Sequence, residues 1–162
     1  MIISNAITAG EFRGGKKIIS PFNEHVGISI KDITPTNDGA FALTVTPPAT
    51  AANTHGDVVH GGWTATCFDT LLSGPPYLQK TGGLEDGEYG LTRSMRVEFE
   101  SPLFVGETYT GVGKIIGRNG NNIQTIASLT NSKGKKVATA EALFKARRAD
   151  WNRSSAGQLL LH

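Results

Sequence analysis

The sequence predicts an α+β fold: one central apolar helix lying across a mostly antiparallel β-sheet of about six strands. Three observations predict it. Strand-like runs recur along the chain between turn clusters, while only one segment reads as a long helix. The 20 glycines in 162 residues exceed the usual share of roughly 7%, carry no period, and punctuate the candidate strands. The helical segment is apolar on most of its circumference, so it needs cover on most sides. Parallel crossover units would require more helices than the pattern supplies, which favours antiparallel pairing.

The elements follow in order. Residues 1–21 carry weak signals. HVGISIKDI then alternates in part, placing Val26, Ile28 and Ile30 on one face of a first strand. Asn37-Asp38-Gly39 suits a tight hairpin turn into AFALTV, where Phe41, Leu43 and Val45 share a face. Pro47-Pro48 ends that strand, because neither residue donates to a ladder. A polar loop leads to HGGWTATCFD at residues 60–69. From Trp63 to about Leu72 no glycine or proline interrupts, and Trp63, Cys67, Phe68, Leu71 and Leu72 stand at helical spacings. Ser73-Gly74-Pro75-Pro76 supplies stop signals, and GGLEDGEYG reads as a loop. In LTRSMRVEFE, Leu91, Arg93, Met95, Val97 and Phe99 alternate with Thr92, Ser94, Arg96, Glu98 and Glu100. After a bend at SPLFVGE come TYTGVGKII, NIQTIASLTN and KVATAEALFKAR, the last placing Ala138, Ala140, Ala142 and Phe144 on one face. Small alanines there let a packing partner come very close to the sheet.

The length fits a single domain, 1–162, with a core over about 22–148 and terminal extensions at 1–21 and 149–162. The tail WNRSSAGQLLLH, with its Trp and three leucines, reads equally as a docking segment or as loose chain. A formal charge of +2 gives no nucleic-acid footprint. The one cysteine, Cys67, cannot form an internal disulfide and is expected to be a buried small hydrophobe. No signal-peptide pattern opens the chain and no apolar run is long enough to span a bilayer. The expectation is a cytoplasmic protein without metal. One sheet face is left uncovered by a single helix, so a second copy, or pairs of dimers, is expected to cover it.

The chemistry concentrates at His60-Gly61-Gly62 and Asp69. The first N–H groups of a helix lack internal partners, and aligned peptides add partial positive charge there. Glycine lets a ligand approach that backbone closely. Such an entrance suits an oxygen that acquires negative charge, as in attack on a carbonyl compound. Gly61 N–H is the first choice of donor and Gly62 N–H the second. The alternative is a plain loop-to-helix junction, with His60 satisfying loop backbone groups. Asp69, among Cys67, Phe68, Leu71 and Leu72, either faces a ligand cavity or sits on the wet side of the helix. Eight positions separate Gly61 from Asp69, roughly 12 Å of helical rise, too far for one chain's pair to serve one reacting centre. Two helices antiparallel across a two-fold axis bring one helix's entrance to the middle of the other.

With those motifs in this order, the chain resembles the hot-dog-fold acyl-CoA thioesterases, in particular the phenylacetate-degradation type. The resemblance rests on His60-Gly61-Gly62 and Asp69, on YGLTRSMRVEFESPLFVGE, on GKIIGRNG and on GKKVATAEALF, and spans about residues 22–148. It implies a helix wrapped by an antiparallel sheet, paired into a homodimer that often doubles to a homotetramer. It implies that Gly61 N–H polarises the thioester carbonyl, that Asp69 of the partner subunit acts as general base or nucleophile, and that His60 fixes the loop. A hydroxyl on the following strand, Thr92, is expected to position water or Asp69. Relatives often carry an asparagine six residues before the histidine. Here that place holds Thr54, with Asn53 one residue earlier, so either a bulge presents Asn53 or Thr54 replaces it. His55 and Asp57 read as exposed loop groups. Coenzyme A enters only as part of the substrate, with no separate cofactor. Its phosphates would favour basic groups, Arg118 first, then Arg93, Lys145, Arg147 and Arg148, the last three reading also as a solvated sheet edge. The competing readings are an acyl-thioester hydratase or dehydratase, and an acyl-CoA-binding sensor without turnover.

Overall fold

A computed structural model describes residues 20–28, 33–35, 40–78 and 82–148. Ser20 caps a five-residue helix, α1 (Pro21–His25), its side chain accepting from Asn23 N–H, with Pro21 in the first turn. Where the expected first strand begins, Val26 and Gly27 form the turn that ends this helix, and residues 29–32 of that strand lie outside the described residues. Proline's fixed φ and a serine cap favour a helical start, and Gly27 then turns the chain at φ 70°. Ile28 is buried and Ile30 lies outside the described residues. Strand β1 (Ile33–Pro35) pairs antiparallel with β2 (Phe41–Val45). The hairpin turn expected at Asn37-Asp38-Gly39 and the leucine-bearing tail lie outside the described residues.

Helix α2 runs from Gly61 to Leu78, past the expected stop at Ser73-Gly74-Pro75-Pro76. Pro75 and Pro76 deprive the carbonyls of Leu71 and Leu72 of their helical donors, at a cost of about 3 kcal/mol for an interior proline. Both rings are buried, and that burial offsets the loss. Leu84 N–H closes the end on Pro76 O at 2.7 Å.

Four long strands follow: β3 (Glu88–Phe99), β4 (Tyr109–Asn119), β5 (Asn122–Asn131) and β6 (Lys136–Arg148). They join one antiparallel six-stranded sheet in the order β1-β2-β4-β5-β6-β3. The sheet wraps α2, which touches β2 through β6. Ala138, Ala140, Ala142, Phe144 and Ala146 are all buried on the helix side of β6, as the small-residue face predicts. Gly111 allows the closest approach: a Cβ there would stand 2.7 Å from Leu71 Cδ1. Phe68, Leu71 and Leu72 are fully buried against this surface, each burial worth about 2–3 kcal/mol.

Strand β3 departs from simple alternation. It begins at Glu88, where a loop is expected through Gly90, and its register on β6 shifts between Thr92 and Ser94. Thr92 pairs with Phe144 while Met95 pairs with Ala142, both buried partners on the helix side. The extra residue, Arg93, therefore puts Thr92 on the same face as Met95, Val97 and Phe99. The sequence pattern had set Thr92 opposite them; a bulge changes the parity.

Candidate active site

Backbone bonds fix the loop before α2 on both sides. Val59 N–H reaches Leu103 O at 2.8 Å, His60 N–H reaches Ala51 O at 2.8 Å, and Ala52 bridges Val59. His60 then serves as the helix N-cap. Its carbonyl accepts from Trp63 and Thr64 N–H, and its Nδ1 accepts from Gly62 N–H at 2.9 Å. That bond places the ring proton of neutral His60 on Nε2. A Cβ on Gly62 would come within 2.9 Å of the same Nδ1, so the second glycine is what lets the ring fold back. His60 thus satisfies local backbone, the junction role, and Gly62 N–H is spent.

Gly61 differs. It is exposed and occupies the first helical position, where no intrahelical acceptor exists. Among the described residues no acceptor meets its N–H. An outward-facing amide at the positive end of an 18-residue helix is an anion site in waiting. The ring of Phe99 stands beside it, with Cζ 3.5 Å from where a Gly61 Cβ would sit.

Asp69 lies on the same helix, half-buried. Thr92 Oγ1–H donates to its Oδ1 at 2.8 Å, so the β3 bulge, by turning Thr92 inward, fixes the carboxylate. The next residue, Thr70, is buried and accepts from Asn23 Nδ2 at 2.9 Å. Trp63 Nε1–H donates to Val26 O at 3.0 Å. Together these bonds clamp α1 onto α2 beside the stretch between Gly61 and Asp69.

The remaining expected residues are placed as follows. Asn53 Oδ1 accepts from His55 N–H at 2.6 Å, and Asn53 N–H bonds Val58 O, so Asn53 shapes its own turn. Thr54, His55 and Asp57 are exposed. Arg118 is committed inside the fold. Its Nε donates to Gly120 O at 2.9 Å, Nη1 to Gly83 O, and Nη2 to both Glu88 oxygens at 3.2 and 3.0 Å. Burial pushes the Glu88 carboxyl up, but the Glu85 N–H and the charges of Arg118 and Arg148 together hold it below its ordinary value. Arg93, in the bulge, and Arg147, paired with Tyr89, are exposed at the Thr92 end of β3. Lys145 reaches Asn122 Oδ1 at 3.4 Å, and Arg148 Glu85 at 3.8 Å. Burial pushes the Cys67 thiol up to about 12, which makes it an inert core group. Phe99 is the neighbour of Gly61 that the sequence pattern missed: its alternation gave the face but not its exposure.

Two surface depressions lie away from this pair. One, of about 480 Å³, is on the outer sheet face by Arg96, Lys114, Ile126 and Glu141; the other, of about 720 Å³, is by Glu88, Arg147 and Arg148. Neither includes Gly61 or Asp69. Among the described residues no helix is long and apolar enough to cross a membrane.

No protein-family model matches the chain, and no curated protein matches it by sequence. Solved structures do. A thioesterase from Haemophilus influenzae is 16% identical with a TM-score of 0.68, over 82% of this chain and 86% of that one. The PaaI protein of the E. coli phenylacetic acid degradation operon is 20% identical with a TM-score of 0.64, over 79% and 85%. A thioesterase family protein from Silicibacter pomeroyi is 20% identical with a TM-score of 0.65, over 80% and 91%. These likenesses establish the fold: it is the hot-dog fold implied by the sequence motifs.

Proposed function

We propose that this chain hydrolyses acyl-CoA thioesters as a homodimer, each site combining Gly61 of one copy with Asp69 of the other. The observation that carries the reading is the exposed Gly61 N–H, which meets no acceptor among the described residues while the next amide is tied back to His60. The named thioesterases among the structures sharing the fold support the reaction class.

The need for two copies follows from the roughly 12 Å between Gly61 and Asp69 along α2 and from the exposed edge of β3. A 12-residue strand that ends the sheet among the described residues invites pairing. Thr92 marks the Asp69 position on β3 and Phe99 marks the Gly61 position. An antiparallel two-fold pairing centred on Arg96, with the bulged Arg93 left out of the ladder, sets Thr92 of one copy against Phe99 of the other. Each Asp69 then approaches the other copy's helix entrance, and two equivalent sites result. Dimers pairing through the outer sheet face, which carries Val112, Ile116 and Ile126, complete a tetramer.

The carbonyl oxygen of the thioester accepts from Gly61 N–H. Asp69, held by Thr92 at Oδ1, takes a proton from water through Oδ2 as the water oxygen attacks the carbonyl carbon. The electron pair moves onto the carbonyl oxygen, where the amide and helix terminus stabilise it. Collapse breaks the C–S bond, and the proton on Asp69 passes to the departing thiolate. In the second route Asp69 attacks directly, giving a mixed anhydride that water then cleaves. The exposed Arg93 and Arg147 are placed to meet the coenzyme phosphates. Arg118 ranks behind them, because its guanidinium already bonds Gly120 O, Gly83 O and the Glu88 carboxylate.

The test is thiol release from a panel of acyl-CoAs by the purified chain. Asp69→Asn is expected to lower kcat by about 10²–10⁴-fold with an unchanged melting temperature; near-normal turnover in that variant defeats the assignment. A single turnover in oxygen-18 water separates the routes, since unlabelled oxygen newly incorporated into the acid requires the anhydride. Tight acyl-CoA binding without any thiol release would favour a sensor instead.

A further inference from the structure

Phe99 is 55% exposed, unusual for a large aromatic on the helix side of a sheet whose partner there, Ala138, is fully buried. Its ring lies beyond the edge of the core, against the entrance of α2. Because Gly61 has no side chain, the ring and the free amide share one open space: a Gly61 Cβ would already touch Cζ at 3.5 Å. From Thr92 to Phe99, the residues of β3 on this side are Thr92, Met95, Val97 and Phe99. None carries charge, and Met95 and Val97 pack on the core.

We propose that Phe99 is the specificity-determining residue of this site, forming the wall on which an uncharged, apolar acyl group lies. The inference rests on the thioesterase reading and names its substrate class. Once the carbonyl oxygen sits about 3 Å from Gly61 N–H, the first carbons of the acyl chain lie within van der Waals reach of the ring. An aliphatic or aromatic group gains contact there and sheds water. An acyl chain ending in a carboxylate brings a charge against that ring, where the neighbouring Met95 and Val97 offer it no partner. The site therefore selects butyryl-like or aryl groups over succinyl-like ones of the same length.

The experiment compares kcat/KM for butyryl-CoA and succinyl-CoA, which share a four-carbon acyl chain, in the full-length wild type, Phe99→Ala and Phe99→Tyr. Wild type is expected to favour butyryl by at least about tenfold. Phe99→Ala is expected to shrink that ratio about tenfold, through a raised KM for butyryl, while Phe99→Tyr keeps it within about threefold. A ring serving only to hold two copies together would alter the sedimentation profile without moving the ratio. Should Phe99→Ala change the oligomeric state, Phe99→Gln, which keeps the reach of the side chain but makes it polar, must lower the ratio in the same way. An active Phe99→Ala enzyme of native assembly that retains the wild-type ratio overturns the proposal, as does a wild type that prefers succinyl. Absence of turnover by the wild type on every acyl-CoA removes this inference together with the thioesterase reading, so the two failures are told apart.

Discussion

Two corners of the molecule bring glycine-rich backbone to the surface, and they end in opposite states. At the corner around Gly83 and Glu88, Arg118 meets two backbone carbonyls and both oxygens of a carboxylate. At the entrance of α2, His60 satisfies Gly62 N–H and the neighbouring strands satisfy His60 N–H, yet Gly61 N–H is left over. A closed network contributes to stability, whereas a single unspent donor at a positive helix end is a place for a ligand. Position in the sequence gave both corners similar claims on coenzyme A or its thioester. The hydrogen bonds divide them.

The largest expected effect comes from removing the unspent donor. Gly61→Pro deletes the N–H at a first helical position, where proline is well accepted and no internal bond is lost. It is expected to lower kcat by about 10²–10³-fold while moving stability by no more than roughly 1 kcal/mol. Gly61→Ala is the control, since it keeps the N–H and its Cβ meets Phe99 at an ordinary 3.5 Å. Steady-state kinetics beside thermal melts check the pair. If Pro and Ala variants are equally active, the amide is not the oxyanion donor.

The next effect reverses the readout. Arg118→Ala strands Glu88, whose side chain is only 6% exposed, and is expected to cost about 2–3 kcal/mol in urea unfolding at neutral pH. KM for acyl-CoA should stay near the wild-type value, because this guanidinium is engaged by Glu88 and two backbone carbonyls. The pH dependence has a definite sign. Glu88 is held below its ordinary value of 4.5, so its contribution is complete above that value and is lost as pH falls through the lowered folded value. The gap in stability between wild type and variant should therefore narrow on acidification. A large rise in KM with unchanged stability would return Arg118 to the coenzyme.

How far the sequence foretold these corners depends on what each residue needed. The helix-side alanines of β6 and the apolar ring around Phe68, Leu71 and Leu72 were legible, because burial leaves a period. His60-Gly61-Gly62 was legible as an entrance, because glycines before an unbroken apolar run have few other uses. Local pattern misled at Val26 and Gly27, where a serine-capped helix from Pro21 ends in a turn. It misled again at Pro75-Pro76, where the wrapped sheet overrides a helix stop. The contact from Thr92 to Asp69 depends on one extra residue at Arg93, and a bulge has no compositional mark here. Arg118 looked free because an arginine in a turn does not disclose its acceptors.

The smallest effect sharpens the comparison most, because it opens the closed half of the entrance itself. His60→Ala removes the cap on Gly62 N–H and is expected to cost about 1 kcal/mol of stability. It also frees a second amide beside Gly61. If His60 acts through the loop alone, kcat should fall by less than about tenfold, with the extra donor partly compensating for a looser helix start. A proton-transfer role would show instead as a loss of about 10²-fold or more, together with a change in the shape of the pH–rate profile. Measuring kcat across pH in this variant, at a temperature well below its melting point, separates a cap from a catalyst. The bond to Gly62 favours the cap, because Nδ1 accepts there from the backbone and cannot also take a proton from water.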